Sequence, residues 1–193
     1  SSGVFFTLVN TRNKNQFGAK IIPNRGAWLE FETDYDGVIS VKIDRKRKVP
    51  ITSLLRIFGL TADEDILAAF GQYDNSTDVS YIKSTLAKDP TKAPAEAYIE
   101  IYKRIRPGDL ATAENAKSLI DAMFTAQRYD VSEVGRWKME SRLRHIRAGE
   151  AAKLKLNDRA FLCMLDPLVP AGGGFPGSRG RRRGGQWGRR AGP

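Results

Sequence analysis

Alternating apolar and polar positions in the first fifty residues predict a small antiparallel sheet. Two mainly apolar segments, residues 4–9 and 17–22, have the composition of strands. Residues 28–33 and 38–43 alternate in character with a period of two, which is typical of half-buried strands. Residues 34–37 (DYDG) supply a turn between them, so we expect these two strands to form a hairpin.

Beyond residue 50, apolar residues recur every three or four positions, which indicates five or six short helices. Helix starts are predicted at Pro50, at a capping box over residues 61–64, at Asp78, at Pro94, at Thr112 and at Val131. The last helix is expected to end near His145. The fold class is therefore α+β, a small antiparallel sheet followed by a bundle of short helices.

The periodic pattern ends near Leu156, and the division of the chain is placed at residue 158. Residues 171–193 contain nine glycines, six arginines and no acidic residue. A segment of this composition cannot bury a core, so we expect it to be disordered, or a spurious ending produced by a frameshift. The predicted division is a β-rich part over residues 1–50, a helical part over 51–158 and a Gly/Arg-rich tail over 159–193.

The net charge of +10 is unevenly distributed, because six of the positive charges belong to tail arginines. The remaining body is mildly basic, which is compatible with a polyanionic partner. No run of 18 uncharged apolar residues predicts a membrane span. His145 is the sole histidine and Cys163 the sole cysteine, and there is no Walker A string, zinc-ligand set or acidic metal-binding cluster. A complete active site is therefore not expected.

A run of cations follows the fourth predicted strand. Five of seven consecutive residues are basic: Lys42, Arg45, Lys46, Arg47 and Lys48. Such a run can contact a phosphate backbone, with an affinity that falls steeply with salt. The alternative is a solvated charged edge that prevents unwanted strand pairing. Asp44, within the run, is expected to orient an arginine by a charge-assisted hydrogen bond.

The segment Arg25-Gly26-Ala27-Trp28 is a second candidate site. An indole beside a flexible glycine can stack on an unpaired base while the guanidinium lies near a phosphate. The alternative is a core tryptophan that closes the sheet. Arg136 and Lys138, in the predicted last helix, are weaker candidates for the same interface. Arg106 either caps a helix C-terminus or contacts phosphate, and the structural role is favoured.

Four strings resemble the bacterial RNA polymerase β subunit family, in the family's own order. KIIPNRGAWLEFE (20–32) is similar to IIPxRGSWLEFE, and VKIDRKRKVP (41–50) is similar to RIDRRRKLP. IYKRIRPGD (101–109) is similar to IYRxxRPGEP, and QRYDVSEVGRWKM (127–139) is similar to RYDLxxVGRYKxN. The resemblance covers roughly residues 2–145, and the segment after Phe70 is too short for the large insertion that some members carry.

The resemblance implies a piece of the β subunit that covers its lobe domain, a non-catalytic module of a nucleotidyltransferase that contacts downstream and non-template DNA. It implies that Trp28 packs against a non-template base. It also implies partnership with α, β′, ω and a sigma factor, possible docking of transcription factors, no membrane contact, and a cytoplasmic, nucleoid-associated location. No cofactor is expected in this piece, because the Mg²⁺ of the whole enzyme is held by another subunit, β′.

Taken together, the DNA-contacting residues predicted from the sequence are Arg25, Gly26, Trp28, Lys42, Arg45, Lys46, Arg47, Lys48, Arg136 and Lys138. Two other functions stay open. The chain is a stand-alone RNA-binding protein if the segment RGRRRGG (179–185) binds RNA by charge and stacking. It is an interaction domain if its main role is to dock transcription factors.

Overall fold

The computed structural model describes residues 3–11, 14–70, 80–125 and 127–143. Five strands come first: β1 (Gly3–Thr11), β2 (Lys14–Ile22), β3 (Leu29–Thr33), β4 (Ile39–Ile43) and β5 (Val49–Pro50). Six helices follow: α1 (Ile51–Ile57), α2 (Asp63–Phe70), α3 (Tyr81–Lys88), α4 (Pro94–Ile105), α5 (Ala113–Met123) and α6 (Ser132–Leu143). In the part of the chain that the structure describes, no helix is both long and apolar enough to cross a bilayer.

The strands form one antiparallel sheet in chain order, so each strand pairs with the one before it. The predicted alternation is confirmed in β3, where Leu29, Phe31 and Thr33 are buried and the residues between them are half-buried. In the β3–β4 turn, the Asp34 carboxylate accepts the backbone N–H groups of Asp36 and Val38, each at 3.0 Å. The sequence did not predict β5, since two residues carry too little pattern.

Two of the predicted helix starts are confirmed. Pro94 lies in the first turn of α4, and the Thr112 hydroxyl accepts the N–H of Asn115 at 3.2 Å to cap α5. The helix start predicted at Pro50 is wrong by one residue. Pro50 ends β5 and is the N-cap residue of α1, which begins at Ile51. The predicted capping residue Asp78 lies outside the described residues.

The capping box at the start of α2 is also displaced by one residue. The helix begins at Asp63, so its third residue is Asp65 and not Glu64. The Asp65 carboxylate accepts the N–H of Ala62 at 3.1 Å, which is half of a capping box. Ala62 has no side-chain oxygen to complete the other half.

The sheet and the helices share one hydrophobic core. Fully buried members come from both parts of the chain, among them Leu29, Ile39, Ile51, Leu54, Ile82, Ile101 and Ile120. This arrangement confirms the α+β class, with a small antiparallel sheet and a bundle of short helices. The proposed division at residues 50 and 158 stays a prediction, and the tail lies outside the described residues.

A buried ionic cluster joins α1 to the loops around it. Asp89, which follows α3, accepts hydrogen bonds from the hydroxyls of Thr52 at 2.6 Å, Ser53 at 2.9 Å and Thr91 at 2.6 Å. Arg56 has a fully buried side chain, and its Nε lies 3.4 Å from Asp89 Oδ2. Because every charge here has a partner, the ion pairs and hydrogen bonds offset the desolvation penalty of burying the cluster.

The outer half of the same cluster is at the start of α2. Arg56 donates one hydrogen bond to the carbonyl of Thr61 at 2.9 Å and another to the carboxylate of Asp63. Lys92 Nζ lies 3.2 Å from the second Asp63 oxygen. The hydrogen bond from Arg56, assisted by Lys92, holds the pKa of Asp63 below its usual value of 3.8.

Candidate functional site

Strand register brings most of the predicted site residues to one end of the sheet. Gly3 pairs with Ile22, Ile21 pairs with Leu29, and Leu29 pairs with Ile43. The β2–β3 connection, residues 23–28, therefore lies beside the β4–β5 connection, residues 44–48. We call the first segment the RGAW loop, the second the basic turn, and this whole edge the loop end of the sheet.

The basic turn has a defined backbone. Asp44 and Arg45 have φ values of 54° and 59°, and the N–H of Lys46 donates to the carbonyl of Ile43 at 3.1 Å. Two consecutive positive φ values with this hydrogen bond are features of a type I′ turn. The N–H of Asp44 also donates to the carbonyl of Trp28 at 2.9 Å, so the turn and the RGAW loop are joined.

Among the described residues, Asp44 does not orient an arginine, so this prediction is wrong. Its carboxylate forms no hydrogen bond or ion pair with an arginine there. Aspartate suits this position for a different reason, since its short polar side chain tolerates the left-handed backbone better than most residues.

Trp28 is half-buried at the loop end and carries a cation on its ring. The guanidinium carbon of Arg45 lies 4.5 Å from the ring centroid of Trp28, within the range of a cation–π interaction. Trp28 is not among the described residues that form or flank the hydrophobic core. This position argues against the alternative of a core tryptophan that closes the sheet.

The five cations of the basic run divide into two groups. Lys42 and Lys48 both approach Glu32, at 3.7 Å and 3.6 Å, on the outer face of the sheet. Lys46 and Arg47 are exposed in the basic turn, and neither forms an ion pair with another described residue. Arg45 lies over the ring of Trp28. The cations of the turn are therefore better placed than Lys42 and Lys48 to attract an external anion.

The RGAW loop is held by the segment between α5 and α6. The N–H groups of Asn24 and Arg25 donate to the carbonyl of Asp130 at 2.8 Å and 3.1 Å, and the N–H of Asp130 donates to the carbonyl of Arg25 at 2.9 Å. Arg25 and Asp130 thus form an isolated antiparallel bridge. The backbone of the loop is consequently fixed from outside the sheet.

Gly26 has a structural reason for being glycine. Its φ is +115°, and a Cβ built there would lie 2.7 Å from the carbonyl oxygen of Arg128 and 2.8 Å from a ring carbon of Tyr129. Only a residue without a side chain allows the loop to approach this closely. The expectation that Gly26 is flexible is therefore wrong, because this glycine packs tightly against Arg128 and Tyr129.

Tyr129 forms the floor under this contact. Its ring lies 5.4 Å from that of Phe124, which packs edge-on against Phe58 at 5.2 Å. Its hydroxyl is buried and has no hydrogen-bond partner in the described part of the structure, and burial raises the pKa of Tyr129. The loop thus rests on an apolar surface that continues into the helices.

Helix α6 begins at the same place. The Asp130 carboxylate accepts the N–H of Ser132 at 2.9 Å, and the Ser132 hydroxyl accepts the N–H of Gly135 at 3.3 Å. Further along the helix, the aliphatic part of Lys138 lies over Gly3, because a Cβ on Gly3 would be 3.2 Å from Lys138 Cδ. The side chain of Arg136 lies outside what the structure describes.

Sequence comparison shows to which family the chain belongs. A family model described as RNA polymerase Rpb2, domain 2, matches residues 9–171. The chain belongs to this family. Residues 9–171 include all four strings that suggested the resemblance, which is thereby confirmed.

Similar sequences occur in bacterial proteins named DNA-directed RNA polymerase subunit beta. The one from an Exiguobacterium species is 46% identical over 145 residues, which are 74% of this chain and 12% of that protein. Those from Macrococcus caseolyticus and Clostridium perfringens are 47% identical over 145 residues, again 74% of this chain, and 12% and 11% of those proteins. The chain therefore spans about 12% of the length of the curated relatives it matches.

Three of the four Rpb2-like strings meet at the loop end of the sheet. Residues 20–32 form the RGAW loop and its strands, 41–50 form the basic turn, and 127–139 hold the loop and begin α6. The string at 101–109 ends α4 instead. There the N–H of Arg106 donates to the carbonyl of Tyr102 at 2.8 Å, so Arg106 lies at the helix end as expected. Its exposed side chain approaches Asp109 at 4.0 Å, and the structural role of that side chain stays a prediction.

Sequence reasoning missed two groups of residues. The contact of Gly26 with Arg128 and Tyr129 joins segments about a hundred positions apart, and no local pattern signals such a contact. The buried Arg56–Asp89 pair was missed because charged residues are normally assigned to the surface. Within the described ranges, no group of three or more His, Cys, Asp or Glu side chains could hold a metal ion.

Proposed function

We propose that the chain acts as the lobe-domain part of a β subunit of bacterial DNA-directed RNA polymerase, and that the loop end of its sheet contacts DNA. The observation that carries this proposal is the convergence of three family strings on one surface. That surface has exposed cations, an indole at its rim and a backbone held by hydrogen bonds. It suits a polyanion with unpaired bases better than a small uncharged ligand.

The proposed division of labour follows from the charges. Lys46 and Arg47, exposed and without ion pairs in the described structure, contact phosphates. Trp28, with Arg45 beside its ring, stacks on a base of the non-template strand. Lys42 and Lys48 contribute less, because Glu32 already neutralises part of their charge.

In this proposal the domain contributes no catalytic group to the nucleotidyltransferase. It works in an assembly with α, β′, ω and a sigma factor at the nucleoid of the cytoplasm, and another subunit holds the Mg²⁺. Its docking of transcription factors is compatible with the same role.

The test is equilibrium binding of the chain to a fork-junction DNA and to a fully paired duplex of equal length, over a series of salt concentrations. We expect Trp28→Ala to weaken binding to the fork roughly fivefold or more and to leave duplex binding nearly unchanged, because stacking needs an unpaired base. We expect Lys46→Ala with Arg47→Ala to lower the salt dependence of both affinities by about one log–log slope unit per lost phosphate contact.

Two further variants distinguish a specific role of the basic turn from a general charge effect and from binding by the tail. Lys83→Ala with Lys88→Ala removes the same charge from exposed positions of α3, which packs near the opposite end of β4. Equal weakening by both pairs would show a general charge effect and overturn the assignment of the basic turn. Deletion of residues 159–193 tests the rival RNA-binding function: loss of all nucleic-acid binding would assign the activity to the tail.

A further inference from the structure

Asp130 connects two elements of the loop end through different parts of the residue. Its backbone makes the bridge to Arg25 and the additional hydrogen bond from Asn24. Its carboxylate accepts the N–H of Ser132 at 2.9 Å and so forms an Asx turn at the start of α6. One residue therefore holds both the RGAW loop and the helix that carries Lys138.

The carboxylate is needed because the backbone around it is unusual. Ser132 has a φ of +63°, a conformation that costs energy for a residue with a side chain. The hydrogen bond from Ser132 to Asp130 and that from Gly135 to the Ser132 hydroxyl stabilise this conformation. Without them, residues 130–132 have a wider choice of backbone angles, and the peptide groups of Asp130 lose their fixed direction towards Arg25.

Neighbouring residues make the direction of these peptide groups consequential. Tyr129 and Val131 are buried on either side of Asp130. Gly26 rests directly on Arg128 and Tyr129, with no room for a Cβ. A change in backbone direction at Asp130 is thus transmitted to the loop and cannot be absorbed by an intervening side chain.

We propose that Asp130 is a positioning residue whose Asx turn locks the RGAW loop to the start of α6, so that Arg25, Trp28 and Lys138 meet DNA as one preformed surface. The DNA part of this inference rests on the proposed function, whereas the locking of the loop does not. Preformed surfaces bind more tightly because less conformational entropy is lost on binding.

The first test needs no DNA and uses amide hydrogen exchange of the full chain, followed by NMR. We expect Asp130→Ala to speed exchange of the Asn24 and Arg25 amides by roughly tenfold, as expected for loss of a hydrogen-bonded turn. We expect Asp130→Asn to keep their protection, because the amide oxygen still accepts from Ser132. Unchanged protection of the core amide of Ile101 in both variants verifies the fold.

Asp34→Ala is the matched control for this test. It removes an Asx turn of the same kind, and the same charge, from the β3–β4 turn at the other end of the sheet. The Asn24 and Arg25 amides should keep their protection in this variant. Equal loss in Asp34→Ala and Asp130→Ala, or full protection in Asp130→Ala, would overturn the locking of the loop.

The second test measures the preference for fork-junction over duplex DNA in the same variants. We expect Asp130→Ala to lower this preference to within about twofold of Trp28→Ala, and Asp130→Asn to retain it, since loss of a single stacked base weakens binding severalfold. A role through charge alone predicts that both Asp130 variants bind all DNA more tightly, because both remove a negative charge.

The two tests separate the failure of this inference from the failure of the proposed function. If Asp130→Ala speeds exchange of the Asn24 and Arg25 amides but leaves the fork preference unchanged, Asp130 is not a positioning residue for DNA. A wild-type chain without any fork preference would overturn the proposed function, while the exchange experiment would still decide whether Asp130 locks the loop.

Discussion

At the scale of single residues, the buried Arg56 shows how a charge can become part of a core. Its guanidinium is shared between Asp89, the carbonyl of Thr61 and Asp63, so its charge is compensated within the fold. Replacing either carboxylate leaves part of a buried charge unpaired, which is more damaging than loss of a surface ion pair.

Asp63 gives this arrangement a pH dependence. Its folded-state pKa is lowered by Arg56, so the stability that the ionised carboxylate contributes is present above its unfolded-state pKa and is lost as the pH falls through the lower, folded value. We expect Asp63→Asn to reduce the free energy of unfolding by about 1–3 kcal/mol at pH 7. The difference from wild type should shrink below about pH 4.

Urea unfolding of both proteins between pH 3 and 7 measures this difference. Glu64→Gln, which removes a neighbouring exposed charge without altering a contact of Arg56, provides the baseline for net charge. A wild-type minus Asp63→Asn difference that stays constant over the whole range would contradict the role given to Asp63.

At the scale of elements, the contact between the RGAW loop and the α5–α6 segment predicts a strong effect of adding one methyl group. Gly26 and Gly59 have nearly identical φ values, +115° and +114°. A Cβ at Gly59 meets nothing within 4 Å, whereas one at Gly26 meets the backbone of Arg128 at 2.7 Å. The two glycines therefore separate steric overlap from backbone strain.

We expect Gly26→Ala to lower the free energy of unfolding by about 1–3 kcal/mol more than Gly59→Ala does, the usual range for overpacking. Denaturant unfolding of the two variants beside wild type measures the difference. Equal losses would mean that the backbone of Arg128 moves aside without penalty, and the contact would then not hold the loop.

The elements themselves were largely predictable because their signals are local. Alternation identified β3 and β4, and the cap at Thr112 and the proline at Pro94 identified two helix starts. The failures have physical causes. β5 is only two residues long, and the displaced capping box used Asp65 because helix α2 begins at Asp63.

The candidate site was less predictable than the elements. The cationic run identified the surface but could not show that Lys42 and Lys48 are paired with Glu32 while Lys46 and Arg47 are not. Likewise, Trp28 was identified as a candidate, but its contact with Arg45 depends on the turn at Asp44. These distinctions follow from tertiary geometry, which spacing along the chain does not encode.

At the scale of the whole molecule, the common core predicts that the sheet and the helices unfold together. Hydrogen exchange should give the buried amides of Val41 in β4 and Ile101 in α4 the same free energy of opening, within about 1 kcal/mol. A clearly lower value for the sheet amides would instead support residues 1–50 as a separately stable unit. The measurement thus also tests the predicted division at residue 50.

The bridge between Arg25 and Asp130 has a consequence for synthesis on the ribosome. The sheet is a meander, so each strand can pair with its predecessor soon after it emerges. The RGAW loop, in contrast, must wait for a partner made about a hundred residues later. Synthesis proceeds at roughly 5–20 residues per second. The RGAW loop therefore lacks its hydrogen bonds to Asp130 for about 5–20 seconds after β2 and β3 have been made.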